Sequence, residues 1–168
     1  MAVQVKLNLG CGPVHMDGWV NVDYDEDQGP DVVADLRSLP FDDGVATHVF
    51  SSHVLEHFRW DEPVLEEWHR VMAPGGEIIV IVPDIVGVHE LWKQGSTWGP
   101  GRPIDLAYVN ATAFGARVLG GVWDVPGQEH KQIFLEHMLL ERMLPLFPNA
   151  REIPPRSIGE RAVMGTKP

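Results

Sequence analysis

Cysteine is nearly absent from this chain: Cys11 stands alone in 168 residues. No disulfide can therefore form within the chain, and no cysteine-based zinc cluster can assemble. Long apolar runs are missing too. The longest uninterrupted one, Ile78 to Val82, falls far short of the roughly 20 residues that cross a bilayer, and no cationic segment leads into an apolar signal core at the N-terminus. Positive charge is scarce, with 13 basic against 24 acidic residues and a formal charge of -11. That balance opposes non-specific attraction to a phosphate backbone, so neither nucleic acid nor a membrane is an expected partner. Internal repeats, heptads and low-complexity tracts are lacking as well. What remains, at 44% hydrophobic content, suits one domain with a real core but little room for a separate substrate domain. The simplest reading is a soluble cytoplasmic protein.

Five apolar stretches read as strands: Val5 to Leu9, Trp19 to Val22, Val32 to Ala34, Thr47 to Phe50 and Glu77 to Val82. The last is apolar at successive positions rather than alternating, as in a central strand of a parallel sheet covered on both faces. Before it, Val64, Leu65, Trp68, Val71 and Met72 recur with helical spacing. Asp61 is placed to cap that helix, Pro63 suits its first turn, and Pro74-Gly75-Gly76 is expected to end it. A helix feeding a buried strand is the repeating unit of an α/β fold. A second helix is expected over Glu136 to Phe147, where Leu139, Leu140, Met143, Leu144 and Phe147 share a face and Pro145 lies near the end. Arg151 to Ile153 and Arg161 to Met164 are expected to pair as a terminal antiparallel hairpin. Between residues 87 and 130 the chain turns rich in glycine, proline and aromatics, including Trp92, Trp98, Tyr108, Phe114 and Trp123. With a helical part near Ile104 to Leu119, this segment reads as a substrate cap or an oligomer surface.

The N-terminal strand runs straight into Gly10-Cys11-Gly12, and an acid, Asp23, ends the second apolar stretch. Glycines let a ligand approach the backbone closely, and a carboxylate after the second strand suits both hydroxyls of a ribose. In an open parallel sheet, ligands bind outside the carboxyl ends of the strands. Those ends carry Gly10 to Gly12, Asp23, Asp35-Leu36, Ser51-Ser52-His53 and Pro83-Asp84, which converge on one rim.

Several phrases carry a family resemblance: Leu7-Asn8-Leu9-Gly10-Cys11-Gly12, then Gly18-Trp19-Val20-Asn21-Val22-Asp23, then Ser52-His53-Val54-Leu55-Glu56-His57-Phe58 and Arg70-Val71-Met72-Ala73-Pro74-Gly75-Gly76. Over residues 5 to 84 the chain resembles the class I S-adenosylmethionine-dependent methyltransferases, in particular a small group that reads Leu-Asn-Leu-Gly-Cys-Gly. The resemblance implies a Rossmann-like α/β sandwich around a mostly parallel seven-stranded sheet of order 3-2-1-4-5-7-6, with strand 7 antiparallel. It implies S-adenosylmethionine as cofactor and S-adenosylhomocysteine as product. Gly10, Cys11 and Gly12 would cradle the methionine and ribose, Asp23 would bind the ribose hydroxyls, and Asp35 and Leu36 would meet the adenine. Ser51, Ser52 and His53 would line the methyl-donor end, and Asn8 and Tyr24 belong to the same implied cofactor set. No metal is assigned to the site.

Three departures from the family pattern stand out. Asn8 replaces the usual acid of the first motif, and Val14 stands at the usual third glycine. Between Gly12 and Trp19 there is no room for the customary first helix, since a crossover takes on the order of a dozen residues. Either that helix is reduced to a loop or the first strand pair is joined unusually. The chain also begins at the first strand, without the N-terminal helices that often close over the cofactor, so an open site or one completed in a homodimer is expected.

Other readings of the same residues fare less well. A nicotinamide dehydrogenase would carry its ribose acid about twenty residues beyond the glycines, and Asp23 comes too early. His53-Val54-Leu55-Glu56-His57 matches the H-x-x-E-H pattern of inverted zinc proteases, which on a helix would put both imidazoles and the carboxylate on neighbouring turns; those enzymes are much larger. A cofactor-binding module without catalysis is the third alternative. For methyl transfer the protein mainly aligns nucleophile, methyl carbon and sulfur, and a hydroxyl acceptor also needs a base. His53 is the first candidate for that role, followed by Asp84 and His130. The chain lacks the Asn-Pro-Pro-Tyr or Asp-Pro-Pro-Tyr phrase of methyltransferases acting on DNA adenine. With the acidic charge, that points to a small-molecule acceptor methylated on oxygen or nitrogen.

Overall fold

Each of the five apolar stretches becomes a strand of one sheet in the computed structural model, which describes residues 5–98, 102–103, 130–157 and 159–168. The strands are β1 (Val5–Leu9), β2 (Val20–Asp23), β3 (Val32–Val33), β4 (Ala46–Ser52) and β5 (Met72–Pro83). Two short strands, β6 (Thr97–Trp98) and β7 (Arg102–Pro103), pair with each other apart from the sheet, and the expected C-terminal hairpin forms as β8 (Arg151–Ile153) and β9 (Glu160–Thr166). The sheet order is β3-β2-β1-β4-β5-β9-β8. Leaving out the separate ribbon, this is the expected 3-2-1-4-5-7-6. β1 to β5 pair in parallel, and β9 runs antiparallel to β5 with Val80 opposite Val163.

Burial on both faces explains the apolar run in β5: Val80, Ile81, Val82 and Pro83 are all buried. The helix before it, α1 (Val64–Val71), turns Val64, Leu65, Trp68 and Val71 into the core, and the Trp68 indole N–H donates to Leu36 O at 3.1 Å. Its ends differ from expectation. Pro63 occupies the N-cap position, and Asp61 pairs with Arg59 instead of capping. Pro74-Gly75-Gly76 does not end the helix. Met72 is already extended, and the tripeptide lies inside β5, where a Cβ on Gly76 would sit 2.9 Å from Ala73 O and 3.0 Å from Ala46 O. Glycine is needed there because neighbouring backbone comes so close.

α2 (Ile85–Lys93) follows β5 directly, capped by Asp84. The helix expected over 136–147 is shorter, α3 (Met138–Met143); Leu139, Met143 and Phe147 are buried, while Leu144 is exposed. Between β1 and β2 the described chain makes turns and no helix, as the short spacing demanded. The expected helix near 104–119 and most of the aromatic segment, including Tyr108, Phe114 and Trp123, lie outside the described residues.

Candidate functional site

The loop that replaces the first crossover helix is built by two asparagines. Asn8 is buried in β1, and its side-chain amide donates to Val14 O and to Asn21 Oδ1, both at 2.9 Å. Asn21 Oδ1 also accepts from the Met16 amide at 2.8 Å, while Asn21 Nδ2 and its backbone N–H both donate to Asp31 Oδ2 at 2.8 Å. These two bonds hold the Asp31 carboxyl below its usual range. An acid at position 8 would be an acceptor facing the acceptors Val14 O and Asn21 Oδ1. An amide supplies the donors they require, so the departure at Asn8 follows from the missing helix. Asn21 and Asp31 had no role in the sequence reading; the polarity of Asn21 inside an apolar stretch was the only local signal.

Beside this loop, Gly10 and Gly12 both take positive φ, 68° and 48°. Gly10 is doubly constrained, because a Cβ there would lie 2.2 Å from Val54 Cγ2. The Gly12 amide donates to Asp23 Oδ2 at 2.8 Å, and the Asp25 amide donates to Asp23 Oδ1 at 3.0 Å. The Asp23 side chain is thus fixed at the end of β2 with capacity for further donors. Cys11 is buried, and that burial, reinforced by Asp23, pushes its thiol up to about 11.

These residues open onto a cleft of about 710 Å³ lined also by Asn8, Tyr24, Asp35, Leu36, Ser52 and His53, within the roughly 300–1,000 Å³ usual for small-molecule and cofactor sites. At one end the Asp35 carboxylate receives the Arg37 side chain at 2.6 Å and sits below its usual range because of it. At the other end, Phe50 and Ser52 of β4 face the cleft and Ser51 does not. Side chains alternate along a strand, so Ser51 points the other way, fully buried and with no hydrogen-bond partner for its hydroxyl among the described residues. The assignment of Ser51 to the cofactor is therefore corrected to its neighbours.

His53 leaves β4 with φ 58°, an uncommon conformation for a non-glycine residue that aims its ring across the sheet end. Its Nε2 lies 3.0 Å from Glu160 Oε1, a partner from β9 that no local pattern announces. Burial works against ionisation of Glu160, but bonds from His53 and the Ser157 amide outweigh it and hold the carboxyl below its usual range. Arg156, also unforeseen, reaches the same end: it donates to Ser52 Oγ at 2.7 Å and lies over the Phe50 ring at 5.1 Å.

The other two catalytic candidates lie elsewhere. Asp84 accepts from the Gly87 amide at 3.1 Å and sits 3.2 Å from Arg161; it caps α2 and is not among the cleft-lining residues. His130 lies behind the cleft wall, against Glu56 and His57. The H-x-x-E-H phrase does not form the helical site of an inverted zinc protease, because Leu55–His57 is a single 3-10 turn and the His53 ring turns to Glu160. Glu56 itself is buried, which pushes its carboxyl up to about 8.

Residues 14–80 match a family model described as a methyltransferase domain. No curated protein matches the sequence. Among solved structures, a SAM dependent methyltransferase from Archaeoglobus fulgidus is similar at 17% identity and a TM-score of 0.62, covering 98% of this chain and 86% of that one. An S-adenosylmethionine dependent methyltransferase from Mesorhizobium loti aligns at 16% identity and a TM-score of 0.57, covering 99% and 93%. One from Methanosarcina mazei aligns at 12% identity and a TM-score of 0.61, also over 99% and 93%. At these identities the likeness is one of fold.

Proposed function

We propose that the chain is a class I S-adenosylmethionine-dependent methyltransferase that methylates an oxygen or nitrogen of a small-molecule acceptor, a reading supported by its sheet order and by the match of residues 14–80 to a methyltransferase domain. The observation that carries this reading is the convergence of Gly10, Gly12, Asp23, Asp35, Ser52 and His53 on one cleft at the carboxyl ends of the parallel strands. The residues fit the cofactor. Gly10 leaves room where any Cβ would collide, and Asp23, with one amide bond on each oxygen, retains lone pairs for two ribose hydroxyls. When bound, S-adenosylmethionine supplies an already activated methyl group, so the protein's own task is alignment and proton removal.

His53 is the proton acceptor in this reading. Glu160, an acceptor when ionised, would take the bond from Nε2–H and leave the lone pair on Nδ1, which lies 3.7 Å from the Glu56 carboxyl in a side chain that is nearly half exposed and lines the cleft. Arg156 adds a positive group beside it, so an acceptor with a carboxylate or phosphate fits this end best. The net charge of -11 favours a diffusible acceptor over a nucleic acid, and with a single reduced cysteine it agrees with a cytoplasmic setting. Calorimetric titration with S-adenosylhomocysteine tests the proposal. Micromolar binding, weakened at least tenfold by Asp23→Ala, is expected, followed by turnover in an acceptor screen. Absence of binding overturns the reading, and binding without turnover of any acceptor would favour the non-catalytic module.

A further inference from the structure

Residues 130–132 are stitched onto the turn Leu55–His57. The Lys131 and Gln132 amides donate to Glu56 O at 2.8 and 3.2 Å, and Gln132 Nε2 donates to Leu55 O at 2.7 Å. This docking sets the His130 ring edge-on to that of His57, with centroids 5.0 Å apart at 78°. Both Nε2 atoms then face one carboxylate oxygen: Glu56 Oε1 lies 3.8 Å from His130 and 4.0 Å from His57. One ligand atom from each of the three residues lies within 4.8 Å of the others.

Glu56 is 1% exposed, and neither of its oxygens has a hydrogen-bond partner among the described residues. A carboxylate removed from water in this way is costly unless a cation or a proton compensates it. Two imidazoles and a carboxylate are the donor set that zinc and its neighbours favour. With ligand distances of about 2.0–2.2 Å, the edge of a tetrahedral site is roughly 3.3–3.6 Å, so small side-chain rotations would bring these donors to that spacing.

We propose that Glu56, His57 and His130 form a binding site for one divalent transition-metal ion of the zinc class, tying residues 130–132 to the wall of the cofactor cleft. His57 is the link between the two sites, since it also lines that cleft. His53 is not a member: its Nδ1 lies on the carboxylate at 3.7 Å, but its Nε2 is engaged by Glu160. The ligand set thus differs from the one the H-x-x-E-H phrase would give. Bound metal would replace the proton that otherwise neutralises Glu56, and the imidazoles would bind in their neutral forms. The proposal is independent of methyl transfer.

The test is titration of the purified, chelator-treated full chain with zinc against a chromophoric competitor, and with cobalt followed by visible absorption. One equivalent is expected to bind, with cobalt bands typical of a low-coordinate site. Glu56→Gln and His130→Ala should each weaken binding beyond the roughly 10–100-fold that loss of an outer-shell partner costs. Exposed His89 serves as the control, and His89→Ala should leave binding unchanged. Histidine-selective NMR of the unsubstituted chain reads the site even where a variant fails to fold: zinc should abolish the pH titration of His57 and His130 and spare His89. Binding of no metal, binding unaffected by both substitutions, or titration of His57 and His130 that zinc does not change would overturn the proposal in favour of a proton shared within the cluster.

Discussion

Gly10→Ala isolates the physical demand at the heart of the cleft. The residue holds φ 68°, which costs an L-residue about 1–2 kcal/mol, and its new Cβ would lie 2.2 Å from Val54 Cγ2 and 3.1 Å from Cγ1. Val54 is 8% exposed, so relieving the contact means overpacking a buried side chain, at about 1–3 kcal/mol. The expected total is about 2–5 kcal/mol, a large share of the roughly 5–15 kcal/mol that holds a domain folded. Urea unfolding followed by tryptophan fluorescence, with Trp68 buried in the core, reads this directly. Val54→Ala separates the two terms, since it removes both γ carbons and leaves only Cβ, at 3.2 Å. In that background the same substitution should cost little more than the backbone term, about 1–2 kcal/mol, with a small addition from the remaining 3.2 Å contact, and the difference is the coupling energy of a double-mutant cycle. Equal cost in both backgrounds, or a loss below 1 kcal/mol in the unaltered one, would refute the reasoning. Because Val54 follows His53, calorimetry with S-adenosylhomocysteine should show weakened binding by Gly10→Ala, partly recovered in the double variant.

Four further outcomes are expected. Asn21→Ala removes the acceptor of one Asn8 amide N–H and of the Met16 N–H and should destabilise by about 2–3 kcal/mol; a urea midpoint that does not move would show that the loop is held by other means. The Cys11 thiol, pushed up to about 11, should react with a disulfide reagent at pH 8 roughly a hundredfold more slowly than free cysteine, and at the ordinary rate in urea; a fast phase in the native protein would contradict its burial. Glu160 ionises more readily folded than unfolded, so its stabilisation is complete above its ordinary value of 4.5 and is lost as pH falls through the lower folded value. Glu160→Gln should therefore flatten the acid fall of Tm, and identical profiles would sink that account. Once an acceptor is known, His53→Ala should lower kcat with little change in KM, while Glu160→Gln should shift the acid limb of the pH–rate profile; full turnover by His53→Ala would remove it as the base.

Much of the fold was legible locally. Apolar runs of the right length become strands wherever they are buried on both faces, and Ile78 to Val82 did so at the centre of the sheet. The short spacing between Gly12 and Trp19 excluded a helix, and none is present there. Element ends were less legible: Pro74-Gly75-Gly76 reads as a helix stop in isolation, yet the backbone of Ala46 and Ala73 beside it makes those glycines part of a strand. The terminal hairpin was visible as two short apolar-polar stretches, but nothing in them foretold that β9 would insert beside β5 with Glu160 under His53.

The sequence by itself determined the strands, the glycine turn and the acid at the end of β2, because these rest on periodicity, close backbone approach and spacing within about twenty residues. Only the tertiary structure decided which side chains meet. It turned Ser51 to the core and Ser52 to the cleft through the phase of β4, and gave His53 a carboxylate 107 residues away. It also set His130 beside Glu56 and His57. Those contacts depend on which strands are neighbours and where a returning segment docks, and that is fixed by burial of the whole sheet rather than by any local run of residues.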